Sequence, residues 1–388
     1  MKNFSNDDRV VLTLDAGGTN FNFSALKSGR QMTESFVLPS HADNKEKCLK
    51  SLITGFEKLI TKIHPQKPMA ISFAFPGPAD YENGIIGDIP NFPSFKGGVA
   101  IGPMLENEFN IPVIINNDGD LFAYGESIGG FLKYVNDTLK ANKINKRYNN
   151  LIGITLGTGF GAGIVINNQI CCGDNSAAGE IWLTRNFLNH DLIAEEGVSI
   201  RAIQNTYKTL TNSSDYLTPK EIYDIAKGKL NGNKSAAIKS FEDMGTVIGE
   251  SLANALTLID APVVIGGGVA GAADLIVPNI LKQLKSSIKD GEGKNLTRII
   301  PEAYFIDNRS DYSRFLENSG ATVKIPFSDK LVTYNKIKKI PIGMSRLGTS
   351  EAIWLGSYMT AIDYLDKKKG LIATALHSLE IDTIHNID

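Results

Sequence analysis

A chain of 388 residues exceeds the size at which one hydrophobic core keeps growing, so two domains are expected, and a hydrophobic content of 42% excludes global disorder. Lys and Arg number 40 against 42 Asp and Glu, a formal charge of −2 that argues against nucleic acid or a membrane surface as the main partner. The polar start from Met1 to Asp8 has no apolar signal core, no later run reaches the length of a membrane span, and Cys48, Cys171 and Cys172 make neither a disulfide framework nor a four-sulfur zinc site, so a soluble cytoplasmic protein is expected.

Val10 to Leu14 reads as an apolar strand that runs into Asp15-Ala16-Gly17-Gly18-Thr19-Asn20. A dinucleotide fold or a P-loop would start a helix after those glycines, but Asn20 to Leu26 alternates polar and apolar, the period of a strand. The stretch is therefore a hairpin with its tip at Asp15 to Thr19. Glycines let tip amides approach a phosphate, a hydroxyl adds a donor, and a carboxylate can hold hydrated Mg²⁺; an ordinary hairpin turn has the same composition.

Asn44 to Ile63 has helical apolar spacing and ends before His64-Pro65. Met69 to Phe75 is a strand cut off by Pro76-Gly77-Pro78, and the next loop carries Asp88-Ile89-Pro90-Asn91. Asn91 could bind a polar ligand or make an Asx-turn. Ile111 to Ile115 is a short strand delivering Asn116-Asn117-Asp118 at its carboxyl end, where ligands sit in open α/β sheets. A helix is expected from Leu121 to Leu132. Asp120, directly before it, reads as the better cap, which leaves Asp118 as the candidate general base. Tyr134 to Asn149 reads as a lysine-rich surface excursion.

Asn150 to Ile166 repeats the first device: strand, a tip at Gly157-Thr158-Gly159, strand. Laid on the first hairpin, Leu14 matches Leu156 and Gly17 matches Gly159. Two like hairpins suggest a duplicated domain with a cleft between the copies, each offering a loop to one polyphosphate. Gly173 to Trp182 is a small-residue loop carrying Glu180, and Glu195 and Glu196 open a helix, where acids favour the dipole. Phe241 to Ile259 is a core helical stripe. It leads to Pro262 to Gly271, in which Gly266-Gly267-Gly268 formally begins a G-x-G-x-x-G pattern after a strand. Without further βαβ units a nicotinamide fold does not follow. The pattern reads instead as a strand-to-helix turn passing close to a nucleotide, most simply its adenosine part. A last helix lies around Gly348 to Met359, and Lys367-Lys368-Lys369 reads as a solvated helix end.

Taken together, Asp15-Ala16-Gly17-Gly18-Thr19, Pro76-Gly77-Pro78, Pro90-Asn91, Asn117-Asp118, Gly157-Thr158-Gly159-Phe160-Gly161, Ala178-Gly179-Glu180, Gly266-Gly267-Gly268-Val269 and the Leu347-Gly348 to Gly356 helix resemble the ROK family of sugar kinases, within the actin and hexokinase-like ATPase superfamily. The resemblance implies an α/β fold of two actin-like, ribonuclease H-like lobes with an interlobe active-site cleft. The smaller lobe would span 1–118 plus 366–388 and the larger 119–365, with extra sequence near 294–338. It implies ATP-dependent phosphorylation of a hexose or hexose derivative, at its 6-hydroxyl, with Asp118 as base. Gly77, Asn91, Asn117, Glu180 and Glu195 would bind sugar. Gly17, Gly18, Thr19, Asn20, Gly157, Thr158, Gly159 and Gly266 to Gly268 would hold ATP, with Asp15 at Mg²⁺, in a homodimer. Many members follow Gly-Glu-x-Gly with a histidine and a cysteine-rich zinc loop. Here Glu180-Ile181-Trp182-Leu183 stands in that place, so no zinc site is expected and the sugar is left open. A sugar-binding regulatory relative without catalysis is the alternative; the family's repressors carry a winged helix-turn-helix ahead of the first strand, for which the stretch before Arg9 is too short.

Overall fold

The computed structural model describes residue 4 and residues 6–77, 79–89, 92–212 and 216–384, with side chains as far as 369. The chain divides into two compact units, Met1–Leu121 with Ser350–Asp388, and Phe122–Thr349. The chain thus returns to the first unit at Ser350 rather than at 366, because the last helix belongs to that unit almost from its first residue.

In the first unit, β1 (Val10–Ala16) and β2 (Asn20–Lys27) form the expected antiparallel ribbon, paired from Val10 opposite Lys27 to Ala16 opposite Phe21. The short β3 (Arg30–Gln31) and β4 (Phe36–Pro39) extend its outer side. Helix α1 (Lys45–Ile63) starts where Asn44 accepts the Lys47 amide, and it buries Cys48, Leu52, Phe56, Leu59 and Ile63. It returns the chain to β5 (Pro68–Ala74), parallel to β1. After the two-residue strands β6 (Ile85–Ile86) and β7 (Val99–Ala100), α2 (Ile101–Phe109) leads to β8 (Val113–Asn116), parallel to β5. Phenylalanine fills this core. Phe23 meets Phe56 edge-on at 5.3 Å and Phe75 meets Phe92 at 4.7 Å, and burying each such ring is worth about 1.5–3 kcal/mol.

Helix α3 (Asp118–Ile128) begins directly after β8, and α4 (Phe131–Ala141) follows. The single helix expected from Leu121 to Leu132 is therefore two. Gly129 and Gly130 separate them, and the carboxylate of Glu126 takes the space a side chain at Gly130 would need while accepting the Phe131 amide at 2.7 Å. Likewise the stretch read as a surface excursion opens with α4, whose Phe131, Leu132, Val135 and Leu139 are buried at helical spacing.

The second unit repeats the ribbon with β9 (Leu151–Leu156), β10 (Phe160–Ile166) and β11 (Gln169–Ile170). Its helical layer is α5 (Ile200–Thr211), α6 (Pro219–Ala226) and α7 (Lys234–Ile259). Then come β12 (Val263–Gly266), parallel to β9, and α8 (Ala273–Leu284), packed on α7. A ribbon of β13 (Ser287–Lys289) and β14 (Asn295–Thr297) precedes β15 (Glu302–Phe305) and α9 (Arg309–Leu316). A second ribbon, β16 (Gly320–Lys324) and β17 (Leu331–Asn335), precedes β18 (Lys339–Met344), and α10 (Thr349–Ile384) closes the described chain. The sheet order is β11-β10-β9-β12-β18-β15, with the last four strands parallel. Much of 294–338 is thus integral, since β15 is a strand of the main sheet; the ribbons are its exposed parts. Lys367 to Lys369 are exposed within α10, which continues past them. Gly356 lets α10 meet the backbone of Leu121 closely, as its small residues suggested. No helix among the described residues is long and apolar enough to cross a membrane.

Candidate active site

In the first unit the candidate residues gather at the carboxyl ends of β1, β5 and β8, where backbone groups and strand-end side chains face outward. Asp15, one residue before the end of β1, accepts the Ser350 hydroxyl at 3.0 Å. Burial raises its pKa, Ser350 opposes that rise, and the charge on Asp118 adds to it, which places the two carboxylates within electrostatic reach. Beyond it the tip, Gly17 to Asn20, is exposed. The Gly17 amide bonds to the Asn20 carbonyl at 3.0 Å, and Ser40 braces the loop by donating its hydroxyl to the Gly18 carbonyl and its amide to that of Thr19.

Asp118 occupies the first turn of α3, with its Oδ1 accepting the Gly119 amide at 2.9 Å. A helix start and a backbone donor favour the charged carboxylate, but burial outweighs them and raises its pKa. The cap is Asn117, whose Oδ1 accepts the same amide at 2.8 Å. Asp120, expected there, lies within the first turn and is buried. Asp118 is thus relieved of capping by the residue before it. Gly77 lies beside Asn117: a Cβ on Gly77 would run into the hydroxyl of Tyr81, which donates to the Phe75 carbonyl at 2.9 Å and receives the Asn117 amide at 3.4 Å. Asn91 lies outside the described residues.

In the second unit the tip is one residue shorter. Leu156 pairs directly with Phe160, and the Gly157 amide bonds to the Gly159 carbonyl at 3.1 Å. Counted from the closing pairs, Ala16 with Phe21 and Leu156 with Phe160, Gly17 corresponds to Gly157 rather than to Gly159. Glu195 sits on this tip. Its Oε2 accepts the Phe160 amide at 3.0 Å in the space a side chain at Gly159 would fill, and Arg201 holds its Oε1 at 3.0 Å. Glu195 and Glu196 belong to a 3₁₀ turn, Ala194–Gly197, ahead of α5, whose cap is Ser199. Gly267, in the left-handed region at φ +91°, lies against the backbone of Leu156, and its amide donates to the Thr349 hydroxyl at 3.1 Å. A Cβ there would overlap the Leu156 carbonyl, whereas at Gly268 the space is open. The tip 157–159 and the turn 266–268 therefore stand together at adjacent strand ends. Glu180 is partly exposed and its carboxylate receives the Trp182 indole N–H; Leu183, in the place of the family histidine, is exposed.

Sequence reasoning missed Ser40, Tyr81, Ser350 and Glu126. The last is fully buried and accepts the Ser345 hydroxyl at 2.5 Å and the amides of Phe131, Arg346 and Leu347, so a buried charge is matched by four donors. Its signal was a glutamate following the apolar run Leu121-Phe122-Ala123 on the same helix.

The ROK family model matches residues 11–310. The crystal structure of a glucokinase from Parabacteroides distasonis is 47% identical, covers 93% of this chain and 99% of its own, and superposes with a TM-score of 0.82. The glucokinase of Halalkalibacterium halodurans is 25% identical over 306 residues, 72% of this chain and 86% of the relative. A xylose repressor of Caldicellulosiruptor bescii is 28% identical over 263 residues, 62% of this chain and 61% of the relative. The family match over most of the sequence and the glycine ribbon opening each sheet agree: the chain belongs to the ROK family, with its actin-like α/β fold.

Proposed function

We propose that the chain is an ATP-dependent hexose kinase that phosphorylates the 6-hydroxyl of a hexose or hexose derivative. The observation that carries this reading is Asp118, a carboxylate at a strand-to-helix junction that is not the helix cap and whose affinity for protons is raised, as a base accepting a hydroxyl proton requires. Asp15 lies within its electrostatic reach beside a glycine-and-threonine tip. Asp15 is the residue that would hold Mg²⁺, an ion that binds through one or two carboxylates and substrate phosphates rather than a full protein cage. When bound, the ion would supply positive charge that offsets the charge on the phosphates and on the moving phosphoryl group.

The chain's own residues supply the rest. The amides and hydroxyl of Gly17 to Asn20 and of Gly157 to Gly159 bind phosphate oxygens, and the turn at Gly266 to Gly268 lies against the nucleotide. Gly77, Asn91, Asn117 and Glu180 orient the sugar, Glu195 braces the 157–159 tip, and Asp118 takes the proton of the attacking oxygen. The identity with the P. distasonis glucokinase supports glucose among the substrates. The match to a xylose repressor supports a second reading, a sugar-binding regulator without catalysis. Coupled detection of ADP release over a panel of hexoses separates them. Sugar-dependent release supports the kinase; sugar binding with no release supports the regulator and removes Asp118 from a catalytic role. The family's cytoplasmic setting and homodimer are carried over as part of the same proposal.

A further inference from the structure

A pocket of about 620 Å³ opens in the second unit, at the end of its sheet away from the glycine turns. It lies where the parallel strands begin: Asn150 precedes β9, Pro262 precedes β12 and Lys339 opens β18, whereas Gly157 and Gly267 follow the other ends of β9 and β12. At about 3.3 Å per residue, β9 separates the two ends by roughly 20 Å, so this pocket is distinct from the candidate active site.

Its walls are the connector after α4 and the chain around the base of the β16–β17 ribbon. The connector has no regular structure, yet it is fixed. Tyr148 donates its hydroxyl to the Lys339 carbonyl at 2.6 Å, and its backbone exchanges two 2.9 Å hydrogen bonds with the Asn136 side chain. Lys339 in turn gives its ammonium to the carbonyls of Arg314, Phe315 and Glu317, tying β18 to the end of α9. On this frame stand Lys143, Lys146, Arg147 and Lys338, none of which makes an ion pair among the described residues. Asp260 and Glu317 are the acids in the lining, too few to balance them.

Uncompensated cations in a concave site concentrate a positive potential, and guanidinium and ammonium donors match phosphate oxygens. The side-chain amides of Asn145 and Asn318, also in the lining, suit hydroxyl groups. The volume falls within the roughly 300–1,000 Å³ of small-molecule sites, far more than a bare phosphate fills. We infer that this pocket binds a phosphorylated, hydroxyl-bearing small molecule of the sugar phosphate class, with its phosphate at Lys143, Arg147 and Lys338.

The inference is independent of the phosphoryl-transfer reading, and the test keeps the two apart. The full chain is titrated calorimetrically with glucose 6-phosphate, inorganic phosphate and glucose. A double variant, Lys143→Glu with Arg147→Glu, and a control, Lys289→Glu on the exposed β13, are titrated alongside; all these side chains are exposed, and unchanged circular dichroism checks the fold. Expected are saturable sugar phosphate binding, a loss of roughly tenfold or more in the double variant, and none in the control. Glucose should not compete, and inorganic phosphate should bind more weakly. Binding that survives the double substitution belongs to another site, the active site included, and overturns the inference. So does an absence of saturable binding at millimolar ligand, or inorganic phosphate binding as tightly as the sugar phosphate.

Discussion

The two units open their sheets with the same ribbon but deliver different chemistry at its end. In the first, the strand ends carry side-chain acids, Asp15 and Asp118, next to an exposed tip braced by Ser40. In the second, the corresponding strand ends carry glycines, and the acid present, Glu195, turns onto the tip and is held there by Arg201. A carboxylate raised by burial can exchange a proton during a reaction. One fixed between a backbone amide and a guanidinium has its oxygens already engaged and serves to hold the tip. One ribbon architecture thus ends on acidic side chains in one unit and on glycine backbone in the other.

The comparison is broken most directly at Asp118. Asp118→Asn should lower kcat by about 10²–10⁴ and leave sugar affinity close to wild type. Its effect on stability has the opposite sign. A carboxyl whose folded pKa is raised stabilises the fold below its unfolded pKa, and that stability is lost as the pH rises through the folded value. Asparagine removes this cost, so Tm at neutral pH should hold or rise. A fall in Tm with kcat intact would make Asp118 structural. The acid limb of kcat/KM in the wild type should also sit above the ordinary carboxylate range of about 4, with activity present above it and lost as the pH falls through it.

Gly267→Ala tests the second unit. With φ at +91° and the Leu156 carbonyl in the way, alanine should cost about 3 kcal/mol or more by urea unfolding. Gly268→Ala should stay within about 0.5 kcal/mol of wild type, because its space is open, while raising KM for ATP. Equal stability losses would make the turn a packing feature alone. Glu195→Gln sharpens the contrast: as the brace of the tip it should raise KM for ATP severalfold, whereas a change confined to KM for the sugar would make it the sugar ligand that the family resemblance implies.

How much of this could be read in the chain follows from the range of the interactions. The ribbons, α1 and the strand leading to Asp118 were legible because period and turn chemistry are local. The division of labour between Asn117 and Asp120 was not, since an Asx residue before a helix can cap from either position until the first turn is known. The overlay of the two tips was out by two residues, Leu156 standing in the place of Ala16 rather than of Leu14, because cross-strand pairing and not the glycine pattern fixes where each ribbon closes. The stretch 294–338 looked extraneous because β15 finds its partner in β18, with Glu302 opposite Lys339, across an intervening helix and ribbon. Ser350 reaches Asp15 from the far end of the sequence, a pairing that no local pattern announces.

The smallest expected effect uses that pairing. Ser350 donates to Asp15 and holds its pKa down against burial, while the neighbouring Thr349 receives the Gly267 amide and touches no acid in that bond. Removing a hydrogen bond to a charged group is worth about 1.5 kcal/mol, or roughly one pKa unit. Ser350→Ala should therefore leave activity at pH 8 nearly unchanged and displace the acid limb of kcat/KM upward by up to about one unit, so that the deficit appears near pH 6. Thr349→Ala should lower activity by the same factor at both pH values, because what it loosens is a backbone turn. If the two substitutions gave parallel pH profiles, Asp15 would not be the titrating partner of Ser350, and the contrast between an acid-bearing and a glycine-bearing strand end would lose its chemical meaning.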